Sequence, residues 1–214
     1  MIKVTLKDGS IKEFEGKISV LDIAKSISEG LARNAQCGKV NGEVKDLRTI
    51  LNEDCTLEIC TFDSKEGKDA VRHSVSHVLA AAVKRLFPEA KIAIGPSIEN
   101  GFYYDFDTEK AFSAEDLVKI EDEMRKIIKE NPAIERFELP RNEALELMKD
   151  EPYKVELIND LAEDEIISFY KIGDFTDLCA GPHVMSLKNI KAIKLLRSAG
   201  AYWKGDEKNK MLSR

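Results

Sequence analysis

Apolar residues keep two different periods along this chain, and the switches between them mark out its elements. Ile2, Val4 and Leu6 alternate with polar residues as in a strand covered on one face, and Asp8-Gly9 signals a hairpin turn from which Ile11 to Phe14 can return as a second strand. Ser19 can cap a helix carrying Leu21, Ile23, Ala24 and Ile27, with Gly30 as its stop. Lys39-Val-Asn-Gly-Glu-Val44 is a further hairpin signal, and Thr56-Leu-Glu-Ile-Cys60 alternates again as a closing strand. The order strand, strand, helix, strand, strand fits a β-grasp, so residues 1–62 are expected to form a small ubiquitin-like domain. This stretch holds no histidine, no clustered carboxylates and no glycine loop for phosphate, and it reads as a binding or spacing module.

Beyond a polar junction at residues 61–69 the period becomes helical. Over residues 69–87, Val75, Val78, Leu79, Ala82, Val83 and Leu86 make an apolar stripe. At about 100° per residue, His73 and His77 stand one above the other on the opposite side, beside Ala80, Ala81 and Lys84. They are therefore expected to point away from the core, with room for a ligand. Farther on, Phe102, Tyr104 and Phe106 would line one strand face, with Tyr103 and Asp105 on the other. Buried tyrosine hydroxyls need partners, which makes Tyr103 and Tyr104 candidates for a site while Phe102 and Phe106 read as core. A charged helix capped at Ser113 runs to Glu130, a strand covers Phe137 to Leu139, and a second helix covers Arg141 to Asp150. Phe169 to Gly173 and Phe175 to Leu178 lead to Cys179, while Ile190 to Leu196 and Ala201 to Trp203 look like closing strands. Residues 63–214 thus predict a larger α+β domain with an antiparallel sheet and a long central helix.

Composition narrows the class. The 214 residues are 43% hydrophobic and 34% charged, with no run near the roughly 18 apolar residues of a membrane span and no signal-peptide core, so a soluble cytoplasmic protein is expected. The four cysteines show no disulfide-framework or zinc-ribbon spacing, and reduced thiols are expected. The net charge of −6 hides a gradient: residues 107–165 hold 19 acidic and 9 basic residues, whereas 188–214 hold 8 basic and 2 acidic. Contact with nucleic acid, if any, belongs towards the C-terminal end or around the histidines.

The candidate chemistry lies in two four-residue spacings that use all three histidines: His73-Ser-Val-Ser-His77 and, within Asp177-Leu-Cys-Ala-Gly-Pro-His183, Cys179 and His183. Gly181-Pro182 disfavours a helix there, so Cys179 and His183 are expected on a loop. Three imidazoles and a thiol suit two chemistries. His73, His77, Cys179 and His183 could ligate zinc, or one imidazole could act as general base or positioner for water. The glutamate of HExxH and the HxE with PCxxC pairing of zinc deaminases are both absent, which weakens the familiar metallohydrolase readings.

These residues carry a resemblance. Together with Gly95-Pro-Ser-Ile-Glu-Asn-Gly-Phe-Tyr-Tyr-Asp-Phe106, Glu151-Pro-Tyr-Lys154 and Ala201-Tyr-Trp-Lys-Gly-Asp-Glu-Lys-Asn-Lys-Met-Leu-Ser-Arg214, they resemble the N-terminal part of the bacterial-type threonyl-tRNA synthetases. The first 62 residues resemble the TGS domain of that family. Ala180 departs from the arginine that many relatives carry, which bears on an RNA contact rather than on chemistry.

The resemblance implies an editing domain that hydrolyses serine wrongly esterified to tRNA(Thr), with His73, His77, Lys154, Asp177, Cys179 and His183 as its catalytic residues and Tyr104 at the rim. In the mechanism it suggests, His73 positions or deprotonates the attacking water. Lys154 stabilises developing negative charge or holds the terminal ribose, and Asp177 orients Lys154 or the substrate ammonium. It leaves zinc open, since alanyl-type relatives point to a metal and the threonyl type to metal-free chemistry. It places ATP and aminoacylation in a catalytic core that this sequence lacks, the chain being expected to stop short of it. The partner implied is mischarged tRNA(Thr), with a monomer expected here and a homodimer for full-length relatives. Two rivals are a tRNA-binding or regulatory module with structural histidines, and a zinc-dependent hydrolase of small esters.

Overall fold

A computed structural model describes residues 1–214. The chain divides into two compact units, one formed by residues 1–74 with 181–185 and the other by residues 75–180 with 186–214.

In the first unit, strand Ile2–Leu6 pairs antiparallel with Ile11–Phe14 and parallel with Cys55–Thr61. Cys55–Thr61 pairs antiparallel with Ala35–Val40, which turns back through Asn41 and Gly42 into Glu43–Lys45. Asn41 and Gly42 both have positive φ, 49° and 86°, the backbone that a tight two-residue hairpin requires. The helix Val20–Ile27 begins at Ser19, whose hydroxyl accepts from Asp22 N–H. Its Val20 and Ile23 join Ile2, Val4, Leu47 and Leu57 in the core. The β-grasp expected from the period of the N-terminal residues is therefore present. Gly30 does not stop this helix; it lies inside a second short helix, Glu29–Asn34, capped by Ser28. Ser28 ends one helix and starts the next, and a cap of that kind leaves no need for a glycine.

The second unit contains two larger antiparallel sheets. One joins Ile134–Glu138, Ser168–Ile172 and Phe175–Leu178, and the other joins Gly200–Tyr202, Met211–Ser213, Phe106–Asp107 and Lys91–Ile92. Helix Ala114–Glu130 starts in a reciprocal capping box between Ser113 and Asp116. Ile190–Leu196, expected as a strand, is irregular. Its backbone is held by side chains instead: Leu195 N–H donates to Glu121 Oε2 (2.8 Å), and Arg125 donates to Ile193 O (2.8 Å). Leu196 faces solvent, which explains why an apolar run there builds no sheet.

The longest helix, Lys65–Leu86, carries His73 and His77. Every residue from Ser74 to Val83 is buried, so the expected division into an apolar and an open face is corrected. A wheel reads polarity but not packing on the second side. Ala80 and Ala81, taken as room for a ligand, are almost wholly covered. No helix in the chain is long and apolar enough to cross a membrane.

Candidate active site

Asp177 organises a buried polar cluster in the second unit. It is on strand Phe175–Leu178, where register sets it opposite Tyr170, and it has no exposed surface. Three groups converge on its carboxylate: Lys154 Nζ at 2.7 Å from Oδ1, the Tyr104 hydroxyl donating to Oδ2 at 2.6 Å, and His77 Nδ1 at 3.1 Å from Oδ2. Lys154, Tyr104 and His77 are each at most 3% exposed. Burying an ammonium and a carboxylate is costly, and pairing the two offsets part of that cost. Burial and the adjacent Asp177 charge hold the Tyr104 phenol well above its usual range, which keeps it a hydrogen-bond donor across physiological pH.

Local structure brings each member in. Lys154 is on helix Pro152–Asp160, which opens with proline at its first position. Glu151, just before it, binds Lys84 Nζ (2.7 Å) and accepts Ile92 N–H (2.8 Å). Tyr153 donates to Asp107 (2.7 Å), and Glu156 accepts the Trp203 indole N–H (3.0 Å), so the helix is held on both sides of Lys154. Tyr104 reaches Asp177 because Gly95 has no side chain: a Cβ there would lie 2.0 Å from the Tyr104 ring. Gly95→Ala is therefore expected to cost about 1–3 kcal/mol or more as overpacking and to displace the phenol from Asp177. Thermal melting checks the first effect, and ultraviolet titration of the tyrosines checks the second, because a displaced Tyr104 would ionise closer to pH 10.

The first unit holds His73 and His183, and Cys179 belongs to the second. The rings of His73 and His183 stack with centroids 4.4 Å apart and planes 29° apart. His183 is wholly buried; its Nδ1 lies 3.0 Å from Ser74 Oγ, and its backbone N–H donates to Asp46 Oδ2 (3.2 Å). Arg48, paired with Asp46, donates to the carbonyls of His183 and Val184. Cys179 follows strand Phe175–Leu178 and is fixed by Ser168, which accepts its N–H (3.0 Å) and donates its hydroxyl to the Cys179 carbonyl (2.7 Å). As expected, Cys179 and His183 belong to a loop, and the Gly181-Pro182 bond within it is cis.

One helix turn separates His73 from His77, and a five-residue loop joins Cys179 to His183. Three imidazoles and a thiol are a donor set that zinc accepts. The residues behind the ligands fit as well, because metal-binding imidazoles are typically oriented through their second nitrogen, as Ser74 and Asp177 do here.

Of the candidates read from sequence, Tyr104 is buried rather than at a rim. Tyr103 is not part of the Asp177 cluster: the Arg214 guanidinium stacks on its ring at 3.7 Å and makes a two-pronged pair with Asp105. Sequence reasoning passed over Ser74, Ser168, Asp46 and Arg48. Ser74 had a signal, a hydroxyl set between His73 and Val75 within the first histidine motif. Asp46 and Arg48 had none, being remote from both motifs.

Two domain models and a set of curated proteins match the chain. The TGS domain model matches residues 2–61, and the model for the threonyl and alanyl tRNA synthetase second additional domain matches residues 167–214. The chain is 81% identical over all 214 residues to a threonine–tRNA ligase of Clostridium botulinum, 77% identical to one from Clostridium perfringens, and 67% identical over 216 aligned positions to one from Clostridioides difficile. It spans about one third of the length of these curated relatives (33%, 33% and 34%). By its two domain matches and its similarity from end to end, the chain resembles a stretch amounting to about one third of the bacterial threonine–tRNA ligases, and it carries matches to the TGS domain and to the threonyl and alanyl tRNA synthetase second additional domain.

Proposed function

We propose that residues 63–214 form a proofreading domain that hydrolyses serine from mischarged tRNA(Thr), with residues 1–62 as an accessory TGS module. The observation that carries this reading is the buried cluster around Asp177, in which a lysine, a tyrosine and a histidine converge on one carboxylate. Desolvated, mutually paired titratable groups of that kind cluster at functional sites. His73, only half-buried, is the base or positioner for the attacking water. Lys154, held by Asp177, faces the charge that develops on the ester oxygen. Tyr104 and His77 keep Asp177 in place. Were zinc bound, His73, His77, Cys179 and His183 would hold it, and it would acidify a coordinated water.

The need for such a site follows from small numbers. Losing one methyl from a pocket costs about 1–3 kcal/mol, so a first selection between threonine and serine passes errors that a second, hydrolytic site can remove. The test is deacylation of seryl- and threonyl-tRNA(Thr) by this chain, with and without chelator. Selective loss of serine is expected, and hydrolysis of both esters at equal rates would sink the proposal. The chelator arm separates metal-dependent from metal-free chemistry. Charging of tRNA, with its ATP requirement, and the homodimer of full-length relatives are assigned to the remaining two thirds of those proteins. The chain alone is proposed to be a cytoplasmic monomer.

A further inference from the structure

We infer that Ser74 is a positioning residue that decides which nitrogen of His183 carries the proton. The argument is an inventory of one hydroxyl. Ser74 Oγ is fully buried and has three polar neighbours: the Ala70 carbonyl at 2.8 Å, Val184 N–H at 3.0 Å and His183 Nδ1 at 3.0 Å. A serine hydroxyl has one proton to give and two lone pairs to receive with. The Ala70 carbonyl can only accept, so it takes the proton. The amide of Val184 can only donate, so it fills one lone pair. The remaining lone pair faces His183 Nδ1, which must then carry a hydrogen. The reverse assignment, with the hydroxyl donating to Nδ1, would leave two oxygens 2.8 Å apart with no proton between them in a site closed to water.

A neutral His183 therefore holds its proton on Nδ1 and presents Nε2 as a lone pair. This is the minority form of a free imidazole, so the protein must impose it. Turning the ring over would set Cδ2 against Ser74 Oγ and forfeit this bond, and the backbone at 183 and 184 is held by Asp46 and Arg48. The loss of hydrolysis expected below rests on the proofreading reading; the tautomer itself does not.

The experiment is long-range proton–nitrogen NMR on the ¹⁵N-labelled chain at a pH where imidazole is neutral. With only three histidines the spectrum holds three imidazoles, and His183→Gln assigns one of them by its disappearance. The expected result is a protonated Nδ1 and an unprotonated Nε2 for His183 in the parent chain. Ser74→Ala should shift the ring towards the Nε2–H form, and Ser74→Thr, which keeps a hydroxyl, should restore it. Seryl-tRNA hydrolysis by Ser74→Ala is expected to fall about 10–100-fold in kcat, the usual loss when the residue orienting a site imidazole is removed, with Ser74→Thr recovering most of it. An Nε2–H ring in the parent chain overturns the assignment. An unchanged tautomer in Ser74→Ala overturns the role of Ser74. Should Ser74→Ala not fold, the parent and Ser74→Thr spectra still decide the matter. A chain without hydrolytic activity still reports its tautomer, so failure of the proofreading reading is told apart from failure of this one.

Discussion

Replacement of Asp177 by alanine is expected to lower the melting temperature by about 6–20 °C. Removing one partner of a buried ion pair typically costs about 3–5 kcal/mol, and a chain of this size loses roughly 2–4 °C per kcal/mol. The substitution leaves Lys154 as an uncompensated buried cation and takes the acceptor from the Tyr104 hydroxyl. Asp177→Asn, which keeps shape and one oxygen acceptor but not the charge, should fall between the two. The paired change Lys154→Met with Asp177→Leu should recover much of the loss, since apolar residues of similar size often replace a buried pair without penalty. Circular dichroism melts of the four proteins check the set. A shift for Asp177→Ala of less than about 3 °C would mean that Lys154 escapes to water, contrary to its 2% exposure.

His73→Ala should behave in the opposite way, with near-normal stability and an activity loss of about 10²–10⁴-fold, the range over which positioned acid–base groups contribute. His73 is the one histidine of the three that keeps partial exposure, so its removal opens no sealed cavity and strands no buried charge. The loss should fall on kcat for seryl-tRNA(Thr), and added imidazole should restore part of it by entering the vacated space. Unchanged hydrolysis would remove His73 from the role of base.

The elements that sequence reading placed best are those whose signals are local. The hairpin at Asn41-Gly42, the caps at Ser19 and Ser113 and the loop at Gly181-Pro182 each follow from a few neighbouring residues, and each is found. What failed was reading burial from a helical wheel. His77, set on a polar side by its neighbours, is covered because Tyr104 and Asp177 approach that side from residues distant in sequence. The stretch Ile190–Leu196 failed for a similar reason: two side chains of another helix, Glu121 and Arg125, take the backbone bonds that a strand would have made. The site residues that were legible belong to two short motifs. Those that were not, Asp46 and Arg48 above all, act through the fold on the backbone beside His183.

The ten covered residues from Ser74 to Val83 have a bearing on motion. Their amide hydrogens are both helix-bonded and shielded, so they should exchange with deuterium only through openings that cost most of the global stability. His77 belongs to this slowest-exchanging stretch, whereas His73 lies just outside it, one turn nearer the helix start. Exchange at the His77 amide should therefore report large-scale opening of the fold rather than fraying of the helix start.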